Sequence, residues 1–223
     1  MLNKIKFIII TAISITSMSA QSWPDGTQSN CLYAVMVSGT PSRQTPCRAG
    51  DPIDLANNEN VKMAISLLNI SMSDLNFRGC ELGRFSAMPD ENNDKKFIIS
   101  YKTDKEKFLA PTLHELSHVL QIKNAGGLVS LLKKYPSKRI ELAADYMTGI
   151  IFSKLFKNMD LKKFEQNILL TGLYLESSEL AHGTPDERVS AFRLGVFGKK
   201  QKEEMNMSEI ELNFQRSLYA KFF

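Results

Sequence analysis

The sequence predicts a helix-rich α+β fold with a small antiparallel sheet. Beyond residue 109 the chain reads as a succession of helical segments with their own start and stop signals. Ahead of them, Phe97 to Tyr101 (FIISY) is an apolar, partly β-branched run between polar residues and makes the clearest strand. The composition, 43% hydrophobic and 23% charged over 223 residues, is that of an ordinary globular protein and excludes disordered and fibrous classes. The length suits one domain with a proper core, not two.

In chain order, Lys4 and Lys6 form a basic n-region, Phe7 to Ile15 an apolar run, and Ser17 to Ala20 offers small residues for cleavage. Residues 1–20 therefore read as a cleaved export signal, which implies a periplasmic or secreted location and no stable membrane insertion afterwards. An uncleaved anchor is the alternative, but the run is short and rich in Ser and Thr for a bilayer span. Without Lys4 and Lys6, Lys+Arg falls from 28 to 26 against 24 acidic residues. So small an excess predicts no nucleic-acid partner. Residues 21–96 hold all three cysteines, Cys31, Cys47 and Cys80. In an oxidising compartment two are expected to pair, with Cys31–Cys47 preferred although sequence does not fix the choice.

Turn signals dominate Gln21 to Asn60, with a short strand-like run at Leu32 to Val37. Val61 to Ile70 reads as a helix with Asn58 or Asn60 as its cap, and Asn69 to Asp94 as loop. The Phe97 strand reads either as a plain core strand or as an edge with which an extended peptide pairs. Helices follow over 111–123, 128–134, about 138–156, from Asp160 to about Glu176, and 185–197. The last of these opens on the capping box of Thr184 and Glu187 with Pro185 at its first position. A solvated linker over 199–204 precedes a closing helix with Ser208 and Glu211 as a capping box and Ile210, Phe214, Leu218 and Phe222 as its apolar stripe.

Residues 97–223 read as the zinc-binding, catalytic region. His114-Glu-Leu-Ser-His118 is an HExxH pattern, and residues four apart on a helix stand one turn above each other. Both imidazoles can then reach one Zn²⁺ ion, while Glu115 stands beside it as a general base. At 100° per residue, Leu113, Leu116, Val119 and Leu120 share one arc and the motif residues another, on a face that a cleft can reach. Two histidines hold zinc poorly, so a third donor is expected. In Glu141-Leu-Ala-Ala-Asp145 two carboxylates share a helix face, and Ala143 and Ala144 allow close approach to the first helix. Glu141 is assigned as the ligand, and Asp145 as the acceptor that fixes a histidine tautomer. His182 is a candidate donor to an oxyanion. Arg188 could serve instead or pair with Asp145, and both residues could simply join their segment to its neighbours.

The three segments HELSHVLQ, ELAADYMTG and HGTPDERVSAFRLG, in this order, resemble the bacterial family of neutral zinc metallopeptidases. The resemblance covers roughly Phe97 to Gly198. It implies a zincin-like domain with one zinc held by His114, His118 and a glutamate third ligand, Glu141. It further implies Glu115 as catalytic base, Asp145 behind a histidine, a small-residue turn after Glu141 to Asp145, and His182 with Arg188 in the third segment. The expected activity is peptide-bond hydrolysis of a protein or peptide substrate. The alternatives are an exported zinc-binding assembly protein without turnover and a metal-dependent amidase acting on cell-wall fragments.

Overall fold

The computed structural model describes residues 54–80, 85–90, 92–102, 107–169, 182–198 and 205–222. The expected export signal, the strand expected at Leu32 to Val37, Cys31 and Cys47, the Cys80 side chain, the part of the expected helix beyond residue 169 and the linker expected over 199–204 lie outside what it describes.

Helix α1 (Glu59–Leu67) starts where the Asn58 side chain accepts the Val61 N–H at 3.2 Å. It buries Val61, Ala64 and Ile65, and it stops before Ile70 because Asn69 takes a left-handed conformation at φ 53°. A single 3₁₀ turn, Met72–Asp74, leads into β1 (Leu75–Cys80), followed by β2 (Ser86–Asp90) and β3 (Asn93–Lys102). The loop expected over Asn69 to Asp94 is thus corrected: two strands lie in it. Leu75 and Phe77 alternate with polar residues and pack on the core, so β1 carries the period-2 pattern of a strand. In β2 only Ala87 is buried, and Pro89 is tolerated because β2 lies at an edge.

The sheet is mixed, not antiparallel as expected. Its order is β1-β3-β2, with β1 parallel to β3 (Phe77 opposite Ile99) and β2 antiparallel (Ala87 opposite Ile99). The strand predicted at Phe97 to Tyr101 is β3, and it is paired on both sides. The core-strand reading holds and the free-edge reading does not. Phe97, Ile99 and Tyr101 all turn to the buried face.

Helix α2 (Leu109–Ala125) packs beneath β2 and β3 and is buried throughout from Leu109 to Ile122. It begins two residues before Pro111, which sits in the first turn where its missing N–H has no partner to lose. Gly126, at φ 78°, ends it, and the Gly127 N–H closes on the Ile122 carbonyl. Helix α3 (Leu128–Lys134) and Pro136 lead into α4 (Ser137–Leu155), buried from Ile140 to Phe152. Asp160 caps α5 (Leu161–Ile168), and the Thr184–Glu187 box opens α6 (Pro185–Phe197).

Helix α6 lies directly on α4. A Cβ on Gly149 would collide with the Phe192 carbonyl oxygen, and one on Gly195 with the Tyr146 carbonyl oxygen. These two glycines therefore set how closely the backbones approach. The small-residue turn implied after Asp145 is corrected as well, since the helix continues to Leu155 and Gly149 lies within it in this contact. The closing helix α7 (Met207–Asn213) is capped by Asn206 with Glu209, not by Ser208 with Glu211. Starting two residues earlier brings Met207 into the helix, and Met207, Ile210 and Phe214 are buried. A π-helical turn, Phe214–Leu218, then continues into α8 (Tyr219–Phe222), and Phe222 is exposed rather than part of the stripe. Among the described residues no helix is long and apolar enough to cross a membrane.

Candidate metal centre

One turn of α2 separates His114 from His118, and their rings meet edge to face at 89°. The two Nε2 atoms face each other at 3.0 Å. Helix α4 brings Glu141 against them, its Oε2 lying 3.1 Å from His114 Nε2 and 3.5 Å from His118 Nε2. Tetrahedral zinc with bonds of about 2.0–2.1 Å sets its donor atoms about 3.3 Å apart, so the three atoms fit one such ion. These residues form a buried group able to hold a metal ion.

The tautomers explain why a cation belongs there. His114 Nδ1 lies 2.8 Å from Asp145 Oδ1, and an ionised carboxylate only accepts, so Nδ1 carries the hydrogen. His118 Nδ1 lies 2.7 Å from Gln121 Oε1. The Gln121 Nε2 donates to the Ile140 carbonyl at 2.9 Å, which leaves Oε1 as the acceptor and again puts the hydrogen on Nδ1. Nε2 is thus the atom through which each imidazole can offer a lone pair inward, toward a carboxylate oxygen. Three acceptors at these separations repel unless a proton or a metal cation stands among them.

Electrostatics around the group are dominated by burial and its compensation. Burial pulls the His114 pKa down, but Asp145 and Glu141 outweigh it and raise the value to about 9. Burial pushes Glu141 up, yet the neighbouring His118 and His182 and the hydrogen bonds of His114 and His118 hold it well below the usual carboxylate range. Burial likewise opposes Asp145, which the Arg188 guanidinium and His114 keep below its ordinary value. Glu115 is raised, chiefly by burial, with His118 and His114 opposing the shift. A raised carboxyl suits a group that takes and returns protons.

Arg188, fully buried on α6, grips Asp145 with two hydrogen bonds, Nε to Oδ2 at 2.7 Å and a terminal nitrogen to Oδ1 at 2.8 Å. Of the roles open to it in the sequence, the structure shows the pairing with Asp145. His182, just ahead of α6, places Nε2 4.0 Å from Glu141 Oε1. His182 is not among the three residues whose donor atoms lie within 4.8 Å of one another. Glu141 Oε1 itself is buried and has no hydrogen bond among the described residues.

All the residues expected at the site, His114, Glu115, His118, Glu141, Asp145, His182 and Arg188, thus meet around the α2–α4–α6 contact. The expected cleft-facing arc is corrected. His114, Glu115 and His118 are as buried as the leucines opposite them, and α4 packs against α2. Gln121 was missed as a site residue. Its signal was the spacing, since a residue three beyond His118 lies on the same helix face.

Fold and site together define a helix-rich α+β protein with a buried His-His-Glu group suited to a metal ion. Comparison with protein-family models, curated proteins and solved structures finds no match to this chain.

Proposed function

We propose that this chain is an exported zinc-dependent metallopeptidase. The observation that carries the proposal is the convergence of His114 Nε2, His118 Nε2 and Glu141 Oε2 within 3.0–3.5 Å, with both Nδ1 atoms committed elsewhere. The HExxH spacing adds Glu115 at the position a base requires. A zinc ion held by His114, His118 and Glu141 supplies Lewis acidity for the attack of water on an amide.

The chain's own groups do the rest. Glu115 takes the proton from the attacking water and returns it to the leaving amine. Asp145, steadied by Arg188, keeps the His114 hydrogen on Nδ1 and its lone pair on Nε2. With two Arg188 nitrogens held by Asp145, His182 is the better placed of the two candidates to donate to the developing oxyanion. The substrate proposed is a protein or peptide, and an amide in cell-wall fragments would use the same groups.

A second reading has one observation in its favour. All three ligands are at most 1% exposed, as in a metal site that serves only to hold a fold together. Glu115→Gln separates the two readings. For an enzyme it keeps zinc and folding but reduces hydrolysis of unfolded casein or cell-wall fragments by at least about 100-fold. Wild-type protein that holds zinc and cuts neither amide refutes the catalytic reading and leaves the structural or assembly one.

A further inference from the structure

We propose that Gln121 is a positioning residue of the metal centre, one that selects the ligating tautomer of His118 and keys that ring to the backbone carrying Glu141. The inference rests on the metal-binding reading above and goes beyond it, since neither the motif nor the carboxylate pair assigns this residue a role.

The geometry is specific. Gln121 is fully buried, one turn beyond His118 on α2. The two ends of its amide are chemically different, and each meets the group it suits. Nε2 donates to the carbonyl of Ile140, the residue immediately before Glu141, and Oε1 accepts from His118 Nδ1. One amide therefore connects a ligand on α2 with the backbone next to a ligand on α4. A shift of either helix is felt at both donors. A buried amide is costly unless both ends are satisfied, and here both are.

The contrast with His114 shows why an amide is suited to this place. His114 is backed by Asp145, whose charge is balanced by the buried Arg188. Among the described residues no second arginine or lysine hydrogen-bonds at Gln121. A carboxylate there would add negative charge to a buried group that already contains Glu115, Glu141 and Asp145. The neutral acceptor fixes the tautomer while leaving the metal's positive charge undiminished.

The test compares wild type with Gln121→Leu and Gln121→Glu. Three quantities are read: zinc affinity by chelator competition, melting of the metal-free protein, and the ring nitrogens of His118 by ¹⁵N NMR of the metal-free protein. Gln121→Leu is expected to weaken zinc binding about 10- to 100-fold and to admit the Nε2–H tautomer at His118. Gln121→Glu keeps an acceptor for Nδ1–H, and its protonated form also keeps a donor for the Ile140 carbonyl. It is expected to hold the Nδ1–H tautomer and to recover most of the lost affinity.

A Leu variant that melts early but binds zinc within about twofold of wild type, its His118 tautomer unchanged, overturns the inference in favour of a purely structural role. If the Leu variant does not fold, the Glu variant decides. A loss there as large as that of His118→Ala overturns the inference. Wild-type protein whose own zinc titration is flat removes the metal reading itself, a result distinct from any failure of the variants.

Discussion

Replacing Arg188 by methionine removes the cation that Asp145 depends on while keeping a side chain of similar length. The guanidinium is fully buried and bound to both oxygens of a fully buried carboxylate. Breaking such a pair from one side costs about 3–5 kcal/mol, because the remaining charge is left uncompensated. The Asp145 contact with His114 offsets only part of that loss, so the lower end of the range, about 3 kcal/mol, is expected. In a chain of this size, each kcal/mol lowers Tm by about 2–4 °C, which gives a fall of about 6–12 °C.

The pH dependence has a fixed sign. Burial opposes ionisation of Asp145, but Arg188 and His114 together hold its folded pKa below the unfolded value. Its contribution to stability is therefore present above about pH 4 and lost as the pH falls through the folded pKa. Arg188→Met raises that folded pKa and moves the acid limb of the Tm profile to higher pH. Zinc affinity falls with it, about 10- to 100-fold, because the acceptor behind His114 is loosened. Thermal melts of metal-free protein between pH 3 and 8, with a chelator competition at pH 7.5, measure all three effects. An unchanged acid limb and a Tm within about 2 °C of wild type would refute the view that Arg188 holds Asp145 in place.

Two further outcomes follow from the same geometry. Because His114 has a pKa of about 9 in the metal-free protein, zinc uptake at pH 7.5 should release about one proton and tighten as the pH rises toward that value. Calorimetric titrations in buffers of different ionisation enthalpy count the proton, and no release would contradict the assigned state of His114. Gly149→Ala should destabilise the fold by about 1–3 kcal/mol despite alanine's better helix propensity, since the new methyl meets the Phe192 carbonyl oxygen. Denaturant melts read this directly, and a stabilised variant would show that α4 and α6 do not touch there.

The residues that place chemistry on α2 and α4 were legible because both depend on a period that sequence preserves. His114 and His118 are four apart, as are Glu141 and Asp145, and each pair shares a helix face. The α6 capping box was equally plain, since Thr184, Pro185 and Glu187 are local signals. Contacts between helices left weaker traces. Nothing about Gly149 announces the Phe192 carbonyl against it, and nothing about Gln121 announces the Ile140 carbonyl. The sheet was half-read for a related reason. Gly79 and Pro89 are turn signals, and only pairing with β3 makes their segments strands. The closing helix held two overlapping cap patterns, Asn206 with Glu209 and Ser208 with Glu211, and burial of Met207 favours the first. Burial of the HExxH face was out of reach because it depends on α4, a later helix, packing against it.

The most direct test is the metal content of the wild-type chain and of Glu141→Ala, both purified without added zinc and both shown to be folded. The account predicts about one zinc ion per wild-type chain and markedly less in the variant, since two histidines alone hold the ion weakly. Equal metal in the two proteins, or none in the wild type, would contradict it.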